Sequence, residues 1–73
     1  PVTVADEIVE HCKHQRESLE QLIELLEAGA MMVGENHGDG WVDTTADSLA
    51  TNKRLLAEVK RIEELALQES SSG

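Results

Sequence analysis

The chain of 73 residues has almost no aromatic side chains: it contains no Phe and no Tyr, and Trp41 is its single aromatic residue. Cys12 is its only cysteine, so an internal disulfide is impossible. A lone thiol fits a reducing compartment better than a disulfide-stabilised secreted scaffold. A chain this short buries only about 60% of the surface that its unfolded form exposes, so its core needs reinforcement by a metal or a partner.

Basic residues are also scarce, with six Lys and Arg against fifteen Asp and Glu, which gives a formal net charge of −9. Such a chain repels phosphate backbones and acidic headgroups, so direct binding to nucleic acid or a membrane is disfavoured. No apolar run approaches the ~20 residues that span a bilayer, and the N-terminus has no apolar signal-peptide core. We therefore expect a cytoplasmic protein whose targets are basic surfaces, cations or another copy.

The first half of the chain predicts one long amphipathic helix, from about residue 3 to 28. Thr3 can serve as its N-cap with Asp6 three residues later, in a variant of the capping box, and Gly29 is a natural C-terminal stop. Seam positions then recur in steps of three and four residues, which is a heptad pattern. They are Ala5, Ile8, Cys12, Gln15, Leu19, Leu22 and Leu26.

The second half predicts a helix from about residue 45 to 68, capped by Thr44 or Thr45, with a disordered tail over residues 69–73. Its apolar residues also follow a helical period, and the two helices are nearly equal in length. Matched amphipathic helices around one connection favour an antiparallel hairpin. The expected fold is therefore all-α, a single domain over residues 1–73. Its Gly-rich connection, residues 29–44, is long enough to be functional or locally structured.

A two-helix hairpin covers only part of each apolar stripe, and pairing two hairpins into a four-helix bundle covers the remainder. Because no internal repeat is visible, the symmetry would come from two chains, and we expect a homodimer. The expected interface residues are Ile8, Cys12, Leu19, Leu22, Leu26, Leu49, Leu56, Val59 and Ile62. Gln15 and Asn52 are polar seam positions, which either fix the register of a buried interface or lie at a water-accessible edge.

The connection contains the stretch GENHGDGWVDTTAD, residues 34–47, which concentrates acids, glycines and Trp41. Aligned on Gly40, residues 35–46 partly resemble an EF-hand calcium loop, which implies ion ligands at Asp39 and Asp43. Departures from that loop are serious: Glu35 opens it, His37 replaces an oxygen ligand, and Ala46 stands where a bidentate Glu belongs. Asp47 follows immediately and is the remaining candidate ligand.

Two other interpretations explain the same stretch. In the first it is a structural connection: Asp39-Gly40 is a turn dipeptide, Gly34 and Gly38 allow positive φ, and Trp41 folds back over the open end of the hairpin. The flanking MMV and WV segments could form a short two-strand pairing. In the second it is a partner-binding loop with Met31, Met32 and Trp41 as exposed anchors.

Metal and catalytic chemistry have weaker signals elsewhere. His11, Cys12 and His14 lie within one helical turn, and with His37 they could be imagined as a zinc site. Cys12 occupies the seam, however, where a free thiol behaves as a small apolar residue, and His37 is predicted far from the other two. Ser18 and Ser48 have no histidine placed to activate them. We expect no cofactor and no enzymatic activity.

The predicted function is that of a small acidic interaction or assembly module, an adaptor, regulator or accessory subunit that self-associates as a helical bundle and offers a face or loop to a protein partner. The alternative is a divalent-ion module that binds calcium through the loop over residues 35–47. A third interpretation is that the acidic surface mimics DNA and inhibits a basic protein. The simpler interpretation of the same charges is a solvated face with weak ion pairs.

Overall fold

The computed structural model describes residues 2–72, with side chains from residue 2 to residue 70. Four elements follow in chain order: α1 (Val4–Glu27), β1 (Gly34–Asn36), β2 (Trp41–Asp43) and α2 (Thr45–Ser72). The two helices lie side by side in one antiparallel layer, and the strands form a small hairpin within the connection. The predicted helical hairpin is therefore confirmed in outline. The fold differs from the all-α prediction in having two short strands in the connection.

The ends of α1 follow from its capping residues. The Thr3 hydroxyl accepts a hydrogen bond from the Asp6 backbone N–H and the Asp6 carboxylate accepts one from the Thr3 N–H, which completes the predicted capping box. At the other end Gly29 adopts a φ of +73°. The N–H groups of Gly29 and Ala30 then bond back to the carbonyls of Leu26 and Leu25, the Schellman arrangement that ends a helix.

The start of α2 differs from the prediction in one respect. Thr44, one of the two predicted caps, holds the N-cap position, and its carbonyl accepts the first helical hydrogen bond from the Ser48 N–H at 2.9 Å. The side-chain acceptor, however, is Asp43, whose carboxylate accepts hydrogen bonds from the Thr45 N–H at 2.9 Å and from the Thr45 hydroxyl. The Thr45 hydroxyl is also bonded to the Val33 backbone, accepting from its N–H at 3.0 Å and lying 3.2 Å from its carbonyl oxygen. This cluster fastens the strand hairpin to the first turn of α2.

The C-terminal end of α2 is a correction to the predicted boundary. A disordered tail was expected over residues 69–73, but α2 continues to Ser72. Ser70 lies beside the start of α1, where its hydroxyl donates a hydrogen bond to the Asp6 carboxylate. Because no Gly or Pro interrupts residues 69–72, nothing in the backbone stops the helix, and this contact between the helices favours its continuation.

The core between the helices is thin. The buried apolar residues, none of them fully enclosed, are Cys12, Ile23, Leu26, Val59 and Ala66. The layer measures 55 × 24 × 17 Å, and its radius of gyration of 16.3 Å exceeds the value of about 11 Å expected for a compact domain of this length. Two helices therefore share one seam and leave both sides of the layer open.

The strand hairpin pairs Gly34 with Asp43, Glu35 with Val42, and Asn36 with Trp41. The expected pairing was of MMV with WV; the first strand instead begins at Gly34, after the methionines. Gly34 also does not adopt the positive φ that was expected of it. It is needed for space, because a Cβ at this position would overlap the indole ring of Trp41.

Candidate functional site

One side of the helical layer carries a row of exposed apolar residues, and we call it the open face. On each helix its positions follow steps of three and four residues, just beside those that form the seam. It is made of Val4, Ile8, His11, Gln15 and Ser18 from α1, and of Leu55, Glu58, Ile62 and Leu65 from α2.

The apolar members of the open face are exposed to solvent, with Ile62 at 49% and Leu65 at 53%. Two grooves run along this face between the helices. One is lined by Val4, Ala5, Ile8, Ile62, Leu65, Ala66 and Glu69, and the other by His11, His14, Gln15, Ser18, Leu19, Leu55 and Val59. The first groove is almost wholly apolar, and the second carries imidazole, amide and hydroxyl groups beside its leucines.

The other side of the layer, which we call the ion-pair face, has a different chemistry. Arg16 crosses from α1 to Glu63 on α2, with Nε 2.9 Å from Oε1 and Nη2 3.5 Å from Oε2. The hydrogen bond with Glu63 raises the pKa of the Arg16 guanidinium above its ordinary value. Lys53 Nζ lies 3.6 Å from Glu27 Oε1 in a second pair between the helices. Paired charges of this kind suit a surface that remains in contact with water.

The expected interface residues divide between the seam and the open face. Cys12, Leu26 and Val59 are buried between the two helices of the chain itself, and Leu19, Leu22, Leu49 and Leu56 are half-buried. Ile8 and Ile62 are exposed on the open face. The interface predicted from the sequence did not include Val4 and Leu65. Val4 lies four residues before Ile8 and Leu65 three residues after Ile62, and this helical spacing indicated a second apolar stripe beside the seam.

The two polar seam positions are also accounted for within the chain. Gln15 is exposed on the open face. Asn52 is half-buried, and its side-chain amide donates a hydrogen bond to the Ser48 carbonyl at 2.7 Å, one turn earlier in the same helix. Neither amide lies in the seam between α1 and α2 as a buried residue that would fix their register.

The strand hairpin forms a second exposed apolar surface, at the connection end of the layer. The Trp41 indole covers Gly34 and remains 54% exposed, while Val42 points to the opposite side of the hairpin. Met31 and Met32 precede the hairpin and are exposed as well. The contact that the structure shows for Trp41 is with Gly34 of the strand hairpin, whereas the sequence predicted an indole folded back over the open end of the helix pair.

The candidate calcium ligands are distributed over different parts of this hairpin. Glu35 pairs with His37, its Oε2 2.9 Å from Nε2, and Asp43 is engaged by Thr45 at the start of α2. Hydrogen bonds from the Thr45 side chain and backbone lower the pKa of Asp43. Asp39 lies in the turn, and Asp47 in the first turn of α2. Within residues 2–70, no three His, Cys, Asp or Glu side chains form a group that could hold a metal ion.

The candidate zinc residues are likewise separate. Cys12 is buried in the seam, whereas His11 and His14 are exposed and line a groove of the open face. His14 Nε2 lies 3.5 Å from Glu10 Oε1 in the preceding turn. His37 is on the strand hairpin, beyond the other end of α1. Ser18 lines the same groove as His11 and His14, a placement that sequence reasoning did not anticipate.

In comparisons with known proteins the chain matches no protein family, and no curated protein or solved structure is significantly similar to it. Over the described residues, neither helix combines the length and the apolar content that crossing a membrane requires. The class defined by the fold is a two-helix hairpin with a strand-bearing connection, and its candidate sites are surfaces rather than enclosed pockets.

Proposed function

We propose that this chain is a small acidic assembly module, an adaptor, regulator or accessory subunit, that self-associates by pairing the open faces of two copies into a four-helix bundle. The observation that carries the proposal is the row of exposed apolar side chains along one side of the layer: Val4, Ile8, Leu55, Ile62 and Leu65. Exposed apolar side chains clustered in this way mark interaction sites in soluble proteins.

The thin core supports the same proposal. Folding must offset roughly 1.5 kcal/mol of ordering entropy per residue, with about 25 cal/mol gained for each Å² of apolar surface buried. A layer with five buried apolar residues buries little of that surface within one chain. A second copy on the open face adds apolar burial for both chains without lengthening either of them, so folding and association become linked.

The two sides of the layer differ in chemistry, and the difference favours the open face over the ion-pair face as the surface that self-associates. On the ion-pair face, Arg16 and Glu63 are already satisfied by each other, and burying that pair under a second chain would cost desolvation. On the open face the polar positions near the middle are His11, Gln15, Ser18 and Glu58. Such groups can form hydrogen bonds across a helical interface and thereby fix its register, at some cost in stability.

The test is sedimentation equilibrium of the wild-type chain and of Ile62→Glu, with Leu67→Glu as the matched control. Ile62 and Leu67 have the same exposed fraction, 49%, but Leu67 is five residues away and points to the side of the ion-pair face. The wild type and Leu67→Glu should sediment as dimers and Ile62→Glu as a monomer, because an unpaired charge in an apolar interface is strongly unfavourable. A wild-type chain that stays near 8.0 kDa at every concentration, folded and with an unchanging melting temperature, would refute the proposal.

A further inference from the structure

We infer that the strand hairpin is a docking site for a basic segment of a partner protein, with an arginine or lysine side chain stacked on the indole of Trp41. The inference deepens the proposed interaction module by naming the chemistry of its partner. It concerns a surface other than the open face, so the two proposals can fail separately.

The geometry of Trp41 is the first reason. One face of the ring lies against Gly34, where the missing Cβ leaves room for it, and the side chain is still 54% exposed. Trp41, Gly34, Asn36 and Asp43 share one side of the two-stranded ladder. A flat, held and exposed indole is the preferred aromatic surface for a stacked guanidinium or ammonium group.

The distribution of charge is the second reason. The segment from residue 17 to residue 52 contains eight acidic residues and neither Lys nor Arg, so nearly all of the net charge of −9 belongs to the half of the sequence that carries the hairpin. Lys53, the first base after this segment, pairs with Glu27 instead. No Lys or Arg lies within this segment to stack on the indole, and its negative charge attracts a basic partner.

The same charge distribution argues against a second copy as the occupant. Bringing two connection ends together would oppose two segments that each hold eight acids and neither Lys nor Arg, and like charges facing each other at an interface are strongly unfavourable. Nucleic acid is disfavoured for the same reason. A basic protein segment with an apolar residue beside its arginine fits this surface. Its arginine can stack on the indole, and its positive charge is attracted by the acidic residues around the hairpin.

The experiment is calorimetric titration of the full chain with a short synthetic peptide of alternating arginine and leucine, compared with peptides in which every arginine is lysine or glutamine. The arginine peptide should bind saturably, the lysine peptide more weakly, since a guanidinium stacks better than an ammonium, and the glutamine peptide not measurably. Trp41 emission should shift with the arginine peptide, and should not shift when the chain is concentrated alone.

Three variants make the test specific. Trp41→Ser should weaken binding of the arginine peptide roughly fivefold or more. Gly34→Ala should weaken it in the same direction, because the added Cβ displaces the ring while the backbone tolerates alanine. Val42→Ser is the matched control, since Val42 is 51% exposed on the opposite side of the same hairpin, and it should bind as the wild type does.

The results that would overturn the inference are equally specific. Equal affinity of wild type and Trp41→Ser would show attraction of a polycation to acidic residues without a docking site. Absence of binding, or equal binding of the glutamine peptide, would also refute it. Helical circular dichroism confirms that each variant is folded. Ile62→Glu, measured under conditions in which circular dichroism shows it to be helical, separates the two proposals, because it should abolish self-association and leave peptide binding at the hairpin intact.

Discussion

Replacing Ile62 by alanine distinguishes a solitary hairpin from a bundle, because its energetic cost depends on what covers the open face. Ile→Ala and Leu→Ala each remove three carbons, and a fully buried methylene contributes about 0.8 kcal/mol. Leu26 is 5% exposed in the seam, so Leu26→Ala should cost about 2.4 kcal/mol or slightly more, at the lower end of the range for core truncations.

Ile62 is 49% exposed in the single chain, so Ile62→Ala should cost only about 1.2 kcal/mol if the hairpin is alone. If a second copy covers the open face, the same truncation should cost about 2.4 kcal/mol, close to the value for Leu26→Ala. The cost should also fall toward the lower figure when the protein is diluted below its dissociation constant.

The assay is urea denaturation followed by circular dichroism, at two protein concentrations on either side of the midpoint of association. Free energies of unfolding come from linear extrapolation, with the slopes compared to verify that the same transition is observed. An Ile62→Ala cost that stays near half that of Leu26→Ala at every concentration would contradict the bundle. A cost that rises with concentration for Ile62→Ala alone would support it.

Three further predictions follow from individual contacts. Cys12 is buried in the seam, so a thiol reagent should label it much more slowly in the native protein than in denaturant, and equal rates would place it on the surface. A hydrogen bond from Ser70 lowers the pKa of Asp6; stability linked to this carboxyl is therefore present above its ordinary pKa and lost as the pH falls below about 4. Ser70→Ala should flatten that loss in acid denaturation, and an unchanged acid limb would show that the contact is not formed in solution. Calcium should leave the emission of Trp41 unchanged at micromolar concentrations, and a saturable shift abolished by Asp39→Ala would instead establish the loop as an ion site.

Much of the fold was predictable from local signals. Thr3 and Asp6 form the capping box that their spacing indicated, and Gly29 ends α1 with a positive φ. Cys12 and Leu26 are buried as the heptad spacing required. Signals of this kind lie within a few residues of one another and depend on backbone geometry alone, so they are readable from one chain.

The connection was only partly predictable. Its glycines and Asp39 indicated turns, but whether Trp41 covered the end of the helices or lay on the strand pair depended on the register Gly34–Asp43. That register brings together residues nine positions apart, and several pairings of so short a segment satisfy the same pattern. The sequence also did not predict that Asp43, rather than a threonine hydroxyl, is the side-chain acceptor at the start of α2.

By itself the sequence determined two amphipathic helices, the capping box and the glycine stop of the first, a seam rich in small and aliphatic residues, and an acidic composition, since each of these is a property of spacing and composition. Only the tertiary structure decided which flank of the seam remains uncovered. Ile8 and Leu26 both belong to the predicted seam, yet Leu26 is buried and Ile8 is exposed. The apolar stripe of a helix is wider than the contact with one neighbour. The angle at which the neighbouring helix packs against the stripe determines which side chains are buried, and that angle cannot be deduced from either helix alone.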